Sequence, residues 1–544
     1  MTAEPANSTI EGRLARFKTG PVATRWMLLL AFLGLVSPTV INYSPYPLPW
    51  DESYYLGRII CTNHAVYDFS LSRLKECLSE THKGPIMGLV NLPWGRVGGT
   101  ERGIGLAFVG LAFFIWILIL ATYRTCLHSG IPPGSLLLAA ATICLTPFLR
   151  ANAGAMMVDI LLGWCIALAL MLIPLEYCSP SKGVWPSVFR GLLWSLVIDV
   201  GMLSKVTFVF FFCAVGVALL LIRERQSGEM PLRYAFFSCM VGSMPAIIVW
   251  RYYGINFLRF AVMAAWGGAA RFWSVPGLTA GGYLRRYVSQ LGLAMTPLLV
   301  LVAIFVRGFL IEKQMRLARL LPVGIILIYL GIAARSQNRD PRFTIPVMLA
   351  MPFCLAWTGI RKDSRKSVGA VPILAALLLG TLFAFPMTRR PQVAPIKRAG
   401  ELLQTLSQVQ PNPGRPVKIV IATDAPDFNI NTFLLADQLR RDSLRPADLD
   451  TLVYDAMNKR TAEEGFKRID AADYVLFVKP GSSPGPDWSR VYAQDYRAYC
   501  EKVGVLMDGK ISPDLDVFNI RKAGIQGPSG VGAPTEASRE GVPR

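Results

Sequence analysis

The sequence has little charge: Asp, Glu, Lys and Arg make up 17% of its 544 residues, whereas soluble domains carry about 25%. Hydrophobic residues make up 53%, and the mean hydropathy is +0.40. This balance indicates an integral membrane protein. The 56 Lys and Arg outnumber the 36 Asp and Glu, which is typical of residues that flank spans on an anionic leaflet. Because no soluble segment combines a basic stripe with interleaved aromatic residues, nucleic acid is not an expected partner.

Metal-binding patterns are also scarce. The three His are never four residues apart, and the ten Cys form no CxxC motif, which argues against a zinc site. Cys61 and Cys77 lie in one long loop, where they could form a disulfide in an oxidising compartment or stay as two free thiols.

A cleavable signal peptide is not expected. The first 24 residues are polar and basic, and the run from Trp26 onward lacks a small-residue cleavage site. Residues 1–24 are therefore predicted to be a cytoplasmic segment that precedes an uncleaved first span.

About eleven apolar stretches are long enough, or nearly so, to cross a membrane, which predicts a polytopic α-helical membrane protein. They lie at 25–42, 104–122, 134–149, 152–173, 189–204, 206–222, 234–250, 289–306, 319–334, 343–360 and 369–387. The third and fourth stretches, and likewise the fifth and sixth, are joined by so few residues that each pair predicts a helical hairpin.

The basic residues of the short connections predict the orientation. With eleven spans, those at 13–25, 223–233, 307–319 and 361–366 fall on one side, which the positive-inside rule makes cytoplasmic. The opposite, extracytoplasmic side then holds two long outer loops, 43–103 and 251–288, which we expect to be interfacial. The mixture of aromatic residues and Arg in 251–288 suits helices that lie in the headgroup plane. Everything after about 390 lies on the same side.

The pattern of apolar and polar residues changes after the predicted transmembrane core, residues 25–390. "VKIVIATD" (417–424) and "ADYVLFVKPG" (472–481) are typical of buried strands, and each is followed by a helical pattern, at 431–442 and 492–504. This alternation predicts a small extracytoplasmic α/β domain over 391–522. The last residues, 523–544, are rich in Gly, Pro and Ser and are predicted to be disordered.

Polar residues that are far apart in sequence are predicted to meet at the extracytoplasmic face. They are Asp51, Glu52, His82, Lys83, Asp159, Asp199, Lys205, Arg335, Arg339 and Arg342. One interpretation is a cavity for an anionic lipid headgroup with carboxylates placed for acid–base chemistry; the other is ordinary snorkelling at helix ends. Acids within apolar runs are costly and favour the first. Asp199 is interpreted as a structural partner of Lys205 or Arg251.

The order of these motifs resembles the GT-C superfamily of polyprenyl-phosphate-sugar glycosyltransferases, in particular the protein O-mannosyltransferases and the lipid A aminoarabinose transferases. The similar features are the acidic pair after the first span, "HKGP" (82–85), an Asp after the third span, a Lys at the next outer turn, and "RDPRFTIP" (339–346). The resemblance covers about 25–390. Gly84 stands where the family has the first Pro of a Pro-Pro pair, and Phe343 stands in place of a Tyr.

The resemblance implies a one-step inverting transfer of a sugar from a polyprenyl-phosphate donor to a lipid, glycan or protein acceptor. The compact termini and short cytoplasmic loops favour a bacterial inner membrane over an endoplasmic reticulum. Asp51 would be the general base, and Glu52 and Asp159 would orient the reacting groups. The donor phosphate would be bound by Lys83, Lys205, Arg339 and Arg342, with His82 and Tyr54 as candidate substrate contacts. Tyr54 also fits an aromatic belt. The acids would allow a divalent metal ion without requiring one.

The main alternative function is a transporter of an anionic or lipid-linked substrate. It would also show many spans with intramembrane charges, but it should show internal repeats and helices broken near mid-membrane. We see no repeat between the halves, and the acids cluster toward one face. A scaffold that only binds a lipid-linked glycan is a further alternative.

Overall fold

The structure is a computed structural model, which describes most of the chain. The described residues are 21–40, 45–47, 50–79, 85–97, 101–155, 157–178, 183–223, 232–266, 278–357, 390–392, 394–409, 415–423, 425, 428–441, 451–455, 462–479, 487–507 and 511–520. The chain divides into two compact units. The first comprises Met1–Tyr46 and Arg58–Pro391, and the second comprises Pro47–Gly57 and Gln392–Arg544.

The first unit is helical apart from a short strand pairing. Its helices are α1 Pro21–Val36, α2 Trp50–Tyr67 (which begins in the second unit), α3 Leu71–Ser79, α4 Ile86–Val90, α5 Glu101–His128, α6 Pro133–Leu145, α7 Pro147–Asn152, α8 Val158–Cys178, α9 Val184–Ser204, α10 Phe208–Arg223, α11 Leu232–Gly242, α12 Met244–Ala265, α13 Ala280–Leu291, α14 Met295–Ile311, α15 Arg316–Arg335 and α16 Ile345–Ala356. Strand β1, Pro45–Pro47, pairs with β2, Arg390–Gln392.

Ten of the eleven predicted apolar stretches are represented by these helices. Five helical segments are long and apolar enough to cross a membrane, and the bent pair α11–α12 makes a sixth. Four more, in α1, α6, α10 and α16, are apolar but have only 10–17 residues. The stretch predicted at 369–387 lies outside the described residues. The described part of the chain is thus mostly helical with five or six candidate spans, and the count of eleven stays a prediction.

Helix α8 lies at the centre of the first unit. It is apolar on every side, as expected for a helix surrounded by others, and it is buried from Val158 to Leu175. Helices α5, α9, α10 and α16 pack around it. Gly163 allows α16 to approach closely, because a Cβ there would lie 2.5 Å from Leu349 Cδ1. The Trp164 ring packs 5.9 Å from that of Phe353.

The two predicted hairpins have different outcomes. The second is present, since α9 and α10 are separated by Lys205 and two turn residues. The first is interrupted: Thr146 is extended (φ −78°, ψ 108°) and a separate short helix, α7, precedes α8. Pro147 explains the break, because its ring disfavours the helical conformation of the residue before it.

Residues 251–288, predicted to be an outer loop, are helical at both ends. Helix α12 continues to Ala265, and α13 begins at Ala280 after Thr279 caps it by accepting a hydrogen bond from the Gly282 amide. Helices α11 and α12 meet at a bend of 56°. Asp199 Oδ1 accepts a hydrogen bond from the Ala246 amide at 3.1 Å, so a carboxylate satisfies the first turn of α12 at this bend.

The loop 43–103 contains α2, α3 and α4, and a disulfide joins Cys61 to Cys77 across 5.8 Å between Cα atoms. The structure therefore selects the disulfide over free thiols. Asn63, which is fully buried, donates to the Gly95 carbonyl at 2.9 Å and accepts from the Val97 amide at 2.8 Å. These bonds hold the end of the loop against α2.

The second unit carries a small mixed sheet. Its strands are β3 Val417–Ile421, β4 Thr451–Asp455, β5 Tyr474–Val478, β6 Val505–Leu506 and β7 Leu515–Asn519, and its helices are α17 Ala394–Gln408, α18 Ile430–Arg441, α19 Ala462–Asp470 and α20 Asp487–Val503. The order is β4-β3-β5-β7-β6, with β3 parallel to β4 and β5, and β7 antiparallel to β5 and β6. Val420, Val475 and Phe518 contribute to a core beneath α19 and α20.

The second unit contains both strands that the sequence predicts, as β3 and β5, and both predicted helices, as α18 and α20. Strands β4 and β7 and helices α17 and α19 were not predicted. The predicted tail, 523–544, lies outside the described residues.

Candidate functional site

Asp159 and Lys205 form a buried ion pair in the first unit. Asp159 is the second residue of α8, and Lys205 is the extended residue that ends α9 (φ −152°, ψ 140°). Lys205 Nζ lies 2.5 Å from Asp159 Oδ1, and their side chains are 22% and 6% exposed. The pairing satisfies a carboxylate that would otherwise be costly at the start of an apolar helix.

A second ion pair lies in the short 3-10 turn Pro341–Thr344 that precedes α16. Asp340 caps this turn, with Oδ1 accepting from the Arg342 amide at 2.8 Å. Arg342 Nε and Nη2 both donate to Asp340 Oδ2, at 2.9 and 2.6 Å. The guanidinium is therefore held by two hydrogen bonds to one carboxylate oxygen, and the Arg342 amide bonds the other oxygen, which fixes the orientation of the side chain.

The two pairs are linked through residues close to them in sequence, Met157 and Phe343. Arg342 Nη1 lies 3.3 Å from Met157 Sδ, directly before the start of α8. Lys205 Nζ lies 5.3 Å from the centroid of the Phe343 ring, within the range of a cation–π contact. We name Asp159, Lys205, Asp340 and Arg342 the charged cluster.

The charged cluster affects the ionisation of Asp340. Burial raises the pKa of Asp340, but the charge and hydrogen bonds of Arg342, with a further contribution from Lys205, outweigh burial and hold the pKa below its ordinary value. Two carboxylates and two cations make the cluster neutral overall. An incoming phosphate would meet a fixed guanidinium and an ammonium within a partly desolvated setting.

Arg339 holds the loop that carries Asp340. Its Nε donates to the Ala334 carbonyl at 3.1 Å, and its Nη1 donates to the Leu278 carbonyl. The buried Tyr283 donates its hydroxyl to the Asp340 carbonyl at 3.3 Å. Arg339 therefore stabilises the end of α15, and its prediction as a phosphate ligand stays untested.

The remaining predicted site residues are placed elsewhere or not described. Asp51, Glu52 and Tyr54 lie in the first turns of α2, within the second unit, where Glu52 is only 1% exposed. His82 and Lys83 lie outside the described residues. The structure thus brings together Asp159, Lys205 and Arg342, while the predicted roles of Asp51, Glu52 and Tyr54 stay predictions.

Asp340 is the one member of the charged cluster that the sequence analysis missed. Its signal was present: an Asp directly before Pro341 is typical of a residue that caps a helical turn with Pro at the first position. The sequence analysis instead selected Arg339 and Arg342, on either side of it, as binding residues. Phe343, noted as a departure from Tyr, supplies a ring beside Lys205 and needs no hydroxyl for that contact.

The residues described here provide no group of three or more His, Cys, Asp or Glu that could hold a metal ion. Within the charged cluster, Arg342 and Lys205 are the two side chains whose charge suits recognition of an anion.

Comparisons with known proteins support a fold assignment. No protein-family model and no curated protein match the sequence. Among solved structures, ArnT from Cupriavidus metallidurans in the apo state matches with a TM-score of 0.52 and 12% identity, over 93% of this chain and 100% of that one. ArnT bound to undecaprenyl phosphate gives 0.49 and 13%, over 94% and 98%. The Archaeoglobus fulgidus oligosaccharyltransferase with Zn and sulfate gives 0.41 and 15%, over 83% and 68%.

The match to apo ArnT covers nearly all of both chains, so it includes the helical unit and the C-terminal sheet. At 12% identity it establishes the fold and not the reaction. The chain has the fold of ArnT, which confirms at the level of the fold the resemblance to the GT-C polyprenyl-phosphate-sugar glycosyltransferases.

Proposed function

We propose that this protein is a membrane glycosyltransferase that moves a sugar from a polyprenyl-phosphate donor to an extracytoplasmic lipid, glycan or protein acceptor, with inversion. The observation that carries the proposal is the charged cluster, in which Lys205 ends α9 and Arg342 precedes α16, each ion-paired with a carboxylate. The GT-C fold makes a sugar donor on a lipid phosphate the natural ligand for such cations.

The leaving group explains why two cations are needed. When the bond between the anomeric carbon and the phosphate oxygen breaks, the electron pair goes to that oxygen and the lipid phosphate gains one negative charge. Arg342, oriented by Asp340, would bind two phosphate oxygens, and Lys205 would act as a movable point charge. Asp159 would orient Lys205, with which it forms the ion pair.

The acceptor needs a base that removes its hydroxyl proton as the oxygen attacks the anomeric carbon. We assign this role to Asp51, with Glu52 orienting the reacting groups and Tyr54 contacting the substrate. Lys83 and Arg339 are assigned to the donor phosphate, and His82 to the substrate, on the resemblance alone.

The proposed orientation places the site and the C-terminal domain outside the cytoplasm, with eleven spans in a bacterial inner membrane. The Cys61–Cys77 disulfide supports this orientation, because disulfides persist in oxidising compartments. The basic residues of the short connections support it independently.

The test is sugar transfer by the purified chain, with a polyprenyl-phosphate-sugar extract as donor and membrane acceptors from the same cells. Asp51→Asn should lower transfer by about 10²–10⁴-fold while donor lipid still co-purifies, because only the proton acceptor is lost. Arg342→Met should instead lose the co-purifying lipid. Glu463→Gln is the matched control, since this exposed carboxylate pairs with the equally exposed Lys467.

Two outcomes would count against the proposal in different ways. If wild type transfers no sugar from any polyprenyl-phosphate fraction, the proposed function is wrong and transport is the next hypothesis to test. If wild type and Asp51→Asn transfer equally, the function stands and the assignment of the base is wrong.

A further inference from the structure

The turn between α2 and α3 has an unusual residue at its centre. The Ser70 amide donates to the Ala65 carbonyl at 2.9 Å and the Phe69 amide donates to the Val66 carbonyl at 3.1 Å, which together form a Schellman motif. Phe69 occupies the left-handed position of this motif, with φ +51°, where Gly is normally found. No other non-Gly residue in the described part of the chain has a positive φ.

The side chains around this turn point into solvent. Phe69 is 94% exposed, Leu71 is 81% exposed and Tyr67 is 44% exposed. A bulky residue at a left-handed position is strained, and an exposed aromatic ring gains nothing from the protein interior. Neither backbone preference nor packing against the described residues accounts for Phe69.

The turn is held firmly by its surroundings. The Cys61–Cys77 disulfide joins α2 to α3. The Tyr67 hydroxyl donates to the Leu92 carbonyl at 2.7 Å, and Ser70 Oγ accepts from the Arg73 amide at 3.3 Å at the start of α3. We name residues Tyr67–Leu71 the α2–α3 tip; its apolar side chains are presented on a braced hairpin.

Basic groups surround the α2–α3 tip. Arg73 and Arg96 both lie near Asp68, at 3.5 and 3.6 Å, so two cations share one carboxylate. Lys75, which is exposed, follows Leu71 by one helical turn, where its stem can cover apolar surface while its ammonium reaches outward. A tip with apolar and aromatic side chains that is surrounded by basic residues is complementary to the headgroup region of an anionic bilayer.

We propose that the α2–α3 tip inserts into the headgroup region of an anionic membrane, with Phe69 as its anchor. The ring of Phe69 and the side chain of Leu71 bury in the interfacial layer, and Lys75 and Arg73 contact lipid phosphates. This inference does not depend on the proposed reaction, since it concerns the bilayer and not the donor.

The first test measures where residue 69 lies in the full chain, reconstituted into nanodiscs of phosphatidylcholine with phosphatidylglycerol. Phe69→Cys carries a nitrobenzoxadiazole label in a Cys213→Ser background, because Cys213 is an exposed free thiol. Glu76→Cys, at an exposed position on the polar side of α3, is the matched control. Nitroxide lipids should quench the label at 69 roughly twofold or more strongly than at 76, and aqueous iodide should do the reverse.

Equal access of iodide to both labels would show that the α2–α3 tip faces water and would overturn the proposal. Protection of residue 69 from both quenchers would also overturn it, because a protein partner or a second copy would then cover the tip.

The second test uses Phe69→Gly, which removes the anchor and relieves the left-handed strain. This variant should unfold at the same or a higher temperature in detergent. In anionic nanodiscs, hydrogen exchange of the amides at 68–71 should become about tenfold faster than in wild type, because the ring no longer holds the turn in lipid. Unchanged exchange with unchanged folding would show that Phe69 does not contact the bilayer.

Discussion

The Lys205–Asp159 ion pair allows a prediction that separates stability from function. At 2.5 Å and with both side chains less than a quarter exposed, the two charges attract by about 7 kcal/mol at an effective dielectric constant of about 20. Much of this attraction is offset by the cost of removing both charges from water. Removing only Lys205 leaves Asp159 as an unpaired carboxylate beside an apolar helix.

We therefore expect Lys205→Met to destabilise the protein by about 3–5 kcal/mol, and Asp159→Leu to cost a similar amount. The double variant should be within about 1 kcal/mol of wild type, because neither charge remains buried alone. Thermal unfolding in detergent micelles, followed by tryptophan fluorescence, would rank the four proteins in a double-mutant cycle. If the two single variants cost less than about 1 kcal/mol and add, the pair is not a buried coupled unit.

The same four proteins also test the proposed function. The double variant should fold yet transfer sugar about 10²–10³-fold more slowly, because a cation that stabilises the leaving phosphate is missing. A stable double variant with normal transfer would show that Lys205 has only a structural role.

Three further changes have clear expected outcomes. Asp340→Asn should make the free energy of unfolding less sensitive to acid. Because the pKa of Asp340 is lowered in the folded state, its carboxylate stabilises the fold above about pH 4, and this stabilisation is lost as pH falls through the folded pKa. Urea unfolding of both proteins between about pH 2 and 6 measures the difference. Replacing Cys61 and Cys77 by Ser opens a loop of 16 residues and should cost about 3 kcal/mol, measured by unfolding with and without reductant. Gly191→Ala should cost about 1–3 kcal/mol or more, because the new Cβ would lie 2.2 Å from a carbonyl oxygen of α11. Gly216→Ala, whose Cβ meets nothing within 4 Å, should instead be neutral or stabilising in the same thermal assay.

The membrane helices could be predicted because a span is a long, simple signal: an apolar run with basic ends. What the run does not reveal is how a helix is interrupted. Thr146 and Pro147 end α6 inside an apolar stretch, and Ser243 marks the bend between α11 and α12. Both are local backbone events within sequence that is apolar on either side, so hydropathy alone does not locate them.

The C-terminal sheet was predictable only in part. Strands β3 and β5 are runs of Val, Ile, Leu and Phe, and both were predicted. Strand β4 ends in Asp455, and β7 is interrupted by Asp516, which pairs with Arg497. In sequence, a five-residue strand that includes a carboxylate resembles a loop. The residues around Asp516 do not show that Arg497 of α20 will pair with it.

The site residues could be predicted where the count of spans places them on one side of the membrane. Asp159, Lys205 and Arg342 were each predicted, from the count of spans, to lie at an extracytoplasmic end of a helix, and the structure brings the three together. Asp340 was missed because its role is set by the turn it caps and by Arg342 beside it. The count of spans carries no information about such a turn.

The two acids within apolar runs show what the cost of burial does and does not predict. Asp159 and Asp199 gave the same signal, and Lys205 was a candidate partner for Asp199. Asp199 lies inside α9, more than one turn before its end, and meets α12, whereas Lys205 is extended and lies beyond the helix. There it accepts the Ala246 amide at 3.1 Å, whereas Asp159 takes the ammonium at 2.5 Å. Each buried carboxylate therefore requires a partner, and the chemistry of that partner distinguishes the roles of Asp199 and Asp159. A backbone amide at a bend can fix a helix, whereas an ammonium at a helix end can also bind a phosphate.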